Sequence, residues 1–160
     1  MIHEVNVYYT NKKSKETLEK CNMFSEPSVV IKKFCNLSVK EKIIVVDHDH
    51  VKIITGSENK KRSSVCVDLK SELLKRTTSP KKNPLLQSVG RNKVVYDGTA
   101  GFGVDTVTLA MFNKTVFAFE KNRLLYSLLK INLALLDSDA VKKIILKNKD
   151  ITKVPGDKGS

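Results

Sequence analysis

Asp97 and Glu120 are the two carboxylates around which chemistry can be built in this 160-residue sequence. Asp97 closes the β-forming run Val94-Val95-Tyr96. After it come the small-residue loop Gly98-Thr99-Ala100-Gly101-Phe102-Gly103 and an apolar stretch opened by Val104-Asp105. That order predicts a strand, a tight turn and a helix N-terminus, the layout that lets bare backbone approach a nucleotide-like ligand. Glycines at 101 and 103 permit positive φ and present no Cβ to a ligand. Asp97 at the strand end can accept from an ammonium group, and the first amides of the helix can donate. Asp105 in the first turn suits the helix dipole and a capping role. Glu120 closes the next apolar run, where a carboxylate can take both hydroxyls of a ribose.

Two details choose between cofactors. In Gly101-Phe102-Gly103-Val104-Asp105-Thr106 a threonine stands where a dinucleotide fingerprint has its third glycine. An acidic residue so close before Gly101 would also repel a pyrophosphate. An uncharged ribose flanked by a cationic methionine group fits better, which favours S-adenosylmethionine over a nicotinamide cofactor. Alone, the glycine pair reads rather as the strand-to-helix turn of any α/β protein; Glu120 and the missing third glycine together shift the balance.

Elements must place these residues. From Val94 the pattern alternates: a strand at 94–97, a helix at about 104–113, a strand at 115–120, a helix at about 123–136 and a strand at about 143–147. Such alternation implies a parallel sheet with right-handed crossovers. Leucines and Ile131 line most faces of the second helix, so burial is expected there. Upstream, Val5 to Tyr9 reads as a strand, and Leu18, Cys21 and Met23 as the inward residues of a short helix within Asn11 to Phe24. Ile43–Val46 and Val51–Thr55 flank Asp47-His48-Asp49-His50 as a hairpin. Gly56 to Ser64 reads as a polar, basic loop, and Val65 to Leu69 as a third strand. Lys75 to Asn83 reads as a joint, and Pro84 opens a helix that Gly90 ends. The expected organisation is a small α+β region at 1–74, a linker with a lead-in helix at 75–93 and a partial Rossmann-like domain at 94–160.

Composition bounds the partners. The formal charge is +12, with 29 basic residues against 17 acidic ones, which points to a polyanion such as nucleic acid. Only Arg62, Arg76, Arg91 and Arg123 are arginines, and lysine meets phosphate as a point charge without bidentate reading of bases. Lys60-Lys61-Arg62 and Lys75-Arg76 with Lys81-Lys82 are the runs that can track phosphates, and each reads equally as a solvated loop. Cys21, Cys35 and Cys66 form no C-x-x-C pair, so neither a disulfide frame nor a zinc site is implied. His48 and His50 lack a third ligand nearby and read as a polar turn, and Asp68 reads as structural, so no metal is expected. No signal peptide pattern and no apolar run near the roughly 20 residues of a membrane span occur. The expectation is a cytoplasmic protein with no membrane association.

Asp97-Gly98-Thr99-Ala100-Gly101-Phe102-Gly103-Val104-Asp105, then Leu109-Ala110, then Phe119-Glu120-Lys121-Asn122, resembles the first two motifs of class I methyltransferases. More narrowly it is similar to the RsmJ family, which methylates a guanine N2 in 16S rRNA of the small ribosomal subunit. That family shows D-A-T-A-G-x-G-x-D followed by E-R-N. The likeness extends through Val65-Cys66-Val67-Asp68-Leu69 and Lys82-Asn83-Pro84-Leu85-Leu86-Gln87-Ser88-Val89-Gly90 and covers roughly residues 43–150. This chain departs from the pattern with Gly98 for Ala, Val104 for Arg and Lys121 for Arg.

The resemblance implies an α/β fold with an incomplete Rossmann-like methyltransferase sheet preceded by a small α+β region. It implies a SAM-dependent rRNA (guanine-N2)-methyltransferase whose partner is 16S rRNA or the small subunit. Asp97, Gly101 and Gly103 would hold the methionine end and Glu120 the ribose, with Thr99, Ala100, Asp105 and Lys121 lining the same site. Asn122 and Asp150 lie toward the adenine, although Asn122 reads equally as a helix cap and Asp150 as a solvated loop carboxylate. Methyltransferases of this type hold the guanine amine with an Asp-Pro motif after the fourth strand. The 160 residues contain no Asp-Pro, so no catalytic residue is assigned. The sequence reads as truncated before a fourth strand, with weak cofactor binding and little or no turnover expected of these residues alone. A non-catalytic relic that binds cofactor or RNA, or a small basic RNA-binding protein, are the other readings.

Overall fold

A computed structural model describes residues 4–35, 41–56, 62–77, 82–112 and 114–153. Lys60, Lys61 and Lys81 of the expected basic runs lie outside the described residues. The chain divides into two units, Met1–Leu69 with Ser127–Asp137, and Lys70–Tyr126 with Ser138–Ser160.

The first unit is a five-stranded mixed sheet. Its strands are β1 (Val5–Tyr9), β2 (Val29–Lys33), β3 (Lys42–Val46), β4 (Val51–Thr55) and β5 (Ser63–Cys66), in the order β2-β1-β3-β4-β5. β1 runs parallel to both β2 and β3, and β3, β4 and β5 form an antiparallel meander. The hairpin expected around Asp47–His50 is present, closed by the Asp47 amide donating to the His50 carbonyl at 2.9 Å. Helix α1 (Lys12–Lys20) starts where Asn11 accepts from the Ser14 amide and the Ser14 hydroxyl accepts in return from the Asn11 amide, two orphan donors satisfied at once. Val5, Val7, Leu18, Met23, Ile44, Val46 and Val51 are buried.

Two readings of this region need correction. Val29–Lys33, a stretch the sequence pattern leaves unassigned, is a strand that pairs along β1. The third meander strand is Ser63–Cys66, and Leu69 instead opens helix α2 (Leu69–Thr77). Leu69 and Leu73, four apart, are both buried, so the helical spacing prevails over the β-forming valines just before it.

The second unit carries a three-stranded sheet of β6 (Val94–Asp97), β7 (Thr115–Phe119) and β8 (Ile144–Lys147), all parallel and in sequence order. This is the Rossmann-like α/β arrangement that the strand-helix alternation predicts. Helix α3 (Pro84–Val89) precedes it, capped by Asn83 and stopped by Gly90 as expected. Helix α4 (Val104–Met111) packs on β7 and β8. Val116 and Ala118 of β7 are fully buried, whereas Val94, Tyr96 and Ile145 are exposed.

Helix α5 (Arg123–Leu136) is held in the first unit through its residues 127–136: Lys130 pairs with Glu26, and the Asn132 amide donates to the Val67 carbonyl at 3.0 Å. Among the described residues, no helix is long and apolar enough to cross a membrane, and no acidic, His or Cys cluster could hold a metal.

Candidate functional site

The carboxyl ends of β6, β7 and β8 carry three loops, and parallel sheets bind their ligands at that end. The first loop runs from Asp97 to the start of α4. Gly101 and Gly103 have φ of +52° and +85°, a conformation that a residue with a Cβ enters only with strain. Gly103 is itself the N-cap of α4 and makes no side-chain cap bond.

Glu120 holds this loop to the end of β7. One carboxylate oxygen accepts from the Gly101 amide at 3.0 Å and the other from the Asn122 amide at 2.7 Å. The Ala100 amide donates to the Phe119 carbonyl at 3.0 Å, a second tie between the same two loops. Asp97 is fixed in a similar way: it accepts from the Thr99 amide at 3.2 Å and from the buried Thr106 hydroxyl. Each ionised carboxylate has about four acceptor sites, so each keeps acceptor capacity after these bonds. Two fixed carboxylates with spare lone pairs fit hydroxyl and ammonium donors, and acidic groups disfavour phosphate.

The third loop comes from β8. Asn148 donates from its side-chain amide to the Glu120 carbonyl at 2.7 Å, fixing the residue that carries the carboxylate. Asp150 accepts from the Thr152 hydroxyl at 2.7 Å and its amide at 3.0 Å. These bonds hold its carboxyl below the ordinary carboxylate range. Next to it, Ile151 lies against Gly98: a Cβ at position 98 would meet Ile151 Cγ2 at 3.1 Å. A glycine at position 98 therefore makes room for this isoleucine.

The structure thus brings Asp97, Thr99, Ala100, Gly101, Gly103, Glu120 and Asn122 together in the two loops that follow β6 and β7, tied by several hydrogen bonds. Asp150 is close by through Ile151, which lies against Gly98. Asn122 is the cap of α5, accepting from the Leu124 and Leu125 amides at 3.0 and 3.3 Å. Lys121 is exposed. Asp105 lies in the first turn of α4 as expected, but it does not cap the helix. Gly103 occupies that position, and the Asp105 carboxylate turns outward to pair with Arg76. Thr106 and Asn148 escaped the sequence reading. Thr106 was legible in principle: it occupies the third-glycine position, and its hydroxyl is what locks Asp97.

This geometry defines an α/β protein that binds a nucleoside-type cofactor across the ends of parallel strands. A family model described as "Putative SAM-dependent methyltransferase" matches residues 29–153, and the chain belongs to that family, whose cofactor is S-adenosylmethionine. The fold is similar to the crystal structure of a SAM-dependent methyltransferase from Neisseria gonorrhoeae. The TM-score is 0.62 at 22% identity, over 89% of this chain and 59% of that one. This chain therefore spans about three fifths of the length of that relative. No curated protein matches the sequence.

Proposed function

We propose that this chain provides the cofactor-binding part of a methyltransferase acting on guanine N2 in 16S rRNA of the small ribosomal subunit. One observation carries the reading: Glu120 joins the glycine loop of β6 to the end of β7 through both of its carboxylate oxygens. S-adenosylmethionine supplies an electrophilic sulfonium methyl and leaves as a neutral thioether once that methyl is transferred. The chain's own residues bind and orient. Glu120 and Asp97 retain acceptor sites for ribose hydroxyls and the methionine ammonium, and Gly101 and Gly103 keep side chains out of the cradle.

The RNA part of the proposal rests on the motif resemblance to the RsmJ family and on the formal charge of +12. The 160 residues contain no Asp-Pro pair of the kind that holds a guanine amine in such enzymes, and their proposed role is to hold the cofactor. The test is disruption of the gene in its source organism, followed by nucleoside mass spectrometry of small-subunit rRNA. Loss of one N2-methylguanosine supports the proposal. An unchanged nucleoside profile overturns it in favour of a cofactor- or RNA-binding protein without this reaction.

A further inference from the structure

We infer that a basic cleft next to the cofactor loop is a phosphodiester-binding site for the nucleic-acid strand; the inference rests on the proposed RNA substrate. The cleft, with a volume of about 330 Å³, is lined by Lys75, Arg76, Lys82, Asn83 and Pro84. Three of those five residues are cations, and none of the described lining residues is a carboxylate, although Glu72 and Asp105 pair with Lys75 and Arg76. Lys75 and Lys82 are exposed, and Lys75 is steadied by Glu72 at 2.7 Å. Lys82 makes no ion pair among the described residues.

Arg76 links the cleft to the cofactor loop. Its guanidinium pairs with Asp105, two residues after Gly103. A guanidinium offers five N–H donors, so this pairing leaves donors for a second anion and sets the plane of the fork. The cleft volume lies at the low end for ligand sites, which start at about 300 Å³, and suits one segment of a larger ligand. S-adenosylmethionine is a poor occupant, because its sulfonium and ammonium outweigh its carboxylate and three lysine and arginine groups would repel it. A phosphodiester is an anion without that conflict, and lysines bind it as point charges. The cleft thus gives a strand a fixed point close to the methyl donor, where phosphate contacts position and leave base recognition to other groups.

The experiment measures binding of a fluorescein-labelled single-stranded RNA by anisotropy across a salt series. The wild-type chain is compared with Lys75→Gln/Lys82→Gln and with Lys12→Gln as a control on the exposed face of α1. Calorimetry with S-adenosylmethionine is run on the same proteins, and circular dichroism melting verifies folding. Each lost phosphate contact lowers the log–log salt slope by about 0.7 for a single strand, so the double variant loses about 1.4 of slope. It also binds RNA about tenfold more weakly, with cofactor affinity unchanged. The same oligonucleotide as DNA should respond in parallel, since phosphate is the shared group.

A slope equal to wild type overturns the inference, as does an equal loss in the Lys12→Gln control. A wild-type chain that binds no RNA overturns it as well, and so does a variant that loses cofactor affinity while keeping RNA. If the cleft responds as expected but no protein binds S-adenosylmethionine, the cofactor reading fails and the phosphate site stands.

Discussion

Along β3, Ile43, Ile44, Val45 and Val46 are all buried, so residues on both faces of the five-stranded sheet lie away from water. The three-stranded sheet is different. It buries Val116 and Ala118 on one face, while Val94, Tyr96 and Ile145 remain 48%, 64% and 38% exposed. Tyr96 stacks on Phe117 and on Phe119, with ring centroids 5.2 and 6.5 Å apart, and Tyr96, Phe117 and Ile145 are register partners. The first sheet spends its apolar residues on a core. The second concentrates polar, bonded residues at its strand ends, where the candidate site lies. The first sheet therefore carries apolar core on both faces and the second carries the site at its strand ends, so substitutions in the two should differ in their effect on cofactor binding.

The largest effect is expected in the first sheet. Ile44 is fully buried, and Ile44→Ala should cost about 2–5 kcal/mol in urea unfolding, with cofactor affinity of the folded protein unchanged. A matching loss of affinity would erase that difference. Glu120→Ala comes next, because it strands the Gly101 and Asn122 amides. A buried unsatisfied donor costs about 1–3 kcal/mol, and water can reach the amide of the exposed Asn122. A loss of about 1–3 kcal/mol is therefore expected, together with loss of the thermal upshift that S-adenosylmethionine gives the wild type. An upshift that survives would remove Glu120 from the site.

Tyr96→Ser should cost about 0.5–1.5 kcal/mol from lost ring stacking, and cofactor affinity should hold; a larger loss would mean that the open face is structurally central. Arg76→Gln should be the mildest. Its pairing with Asp105 joins side chains 39% and 58% exposed, and exposed pairs contribute about 0.2–1 kcal/mol. A melting shift beyond that range would make the pair part of the loop's support.

Much of the stretch from 94 to 147 was legible because its signals are local. Val94-Val95-Tyr96-Asp97 and Leu124-Leu125 with Leu128-Leu129 carry their own periodicity, and β6 and α5 fall within the expected spans. β2 was not legible, because Val29–Lys33 is short and takes its identity from pairing with β1, a long-range contact. Leu69 was assigned to the wrong element because Val65 to Leu69 is a strand-like run whose last residue belongs to a helix. In the site, residue types announced the carboxylates, and the glycines announced the turn. The Asp105–Arg76 pair joins residues distant in sequence, and the Asn148 bond to the Glu120 carbonyl depends on the order of the strands. Neither could be read from spacing.

The central claim is that Asp97, Glu120 and the glycine loop form a cradle for S-adenosylmethionine. Titration calorimetry of the chain with S-adenosylmethionine, beside Glu120→Gln, tests it most directly. One cofactor should bind per chain, with affinity at least about tenfold lower in Glu120→Gln, a difference of about 1.4 kcal/mol. Absence of binding by the wild-type chain, or equal affinity in the two proteins, would contradict it.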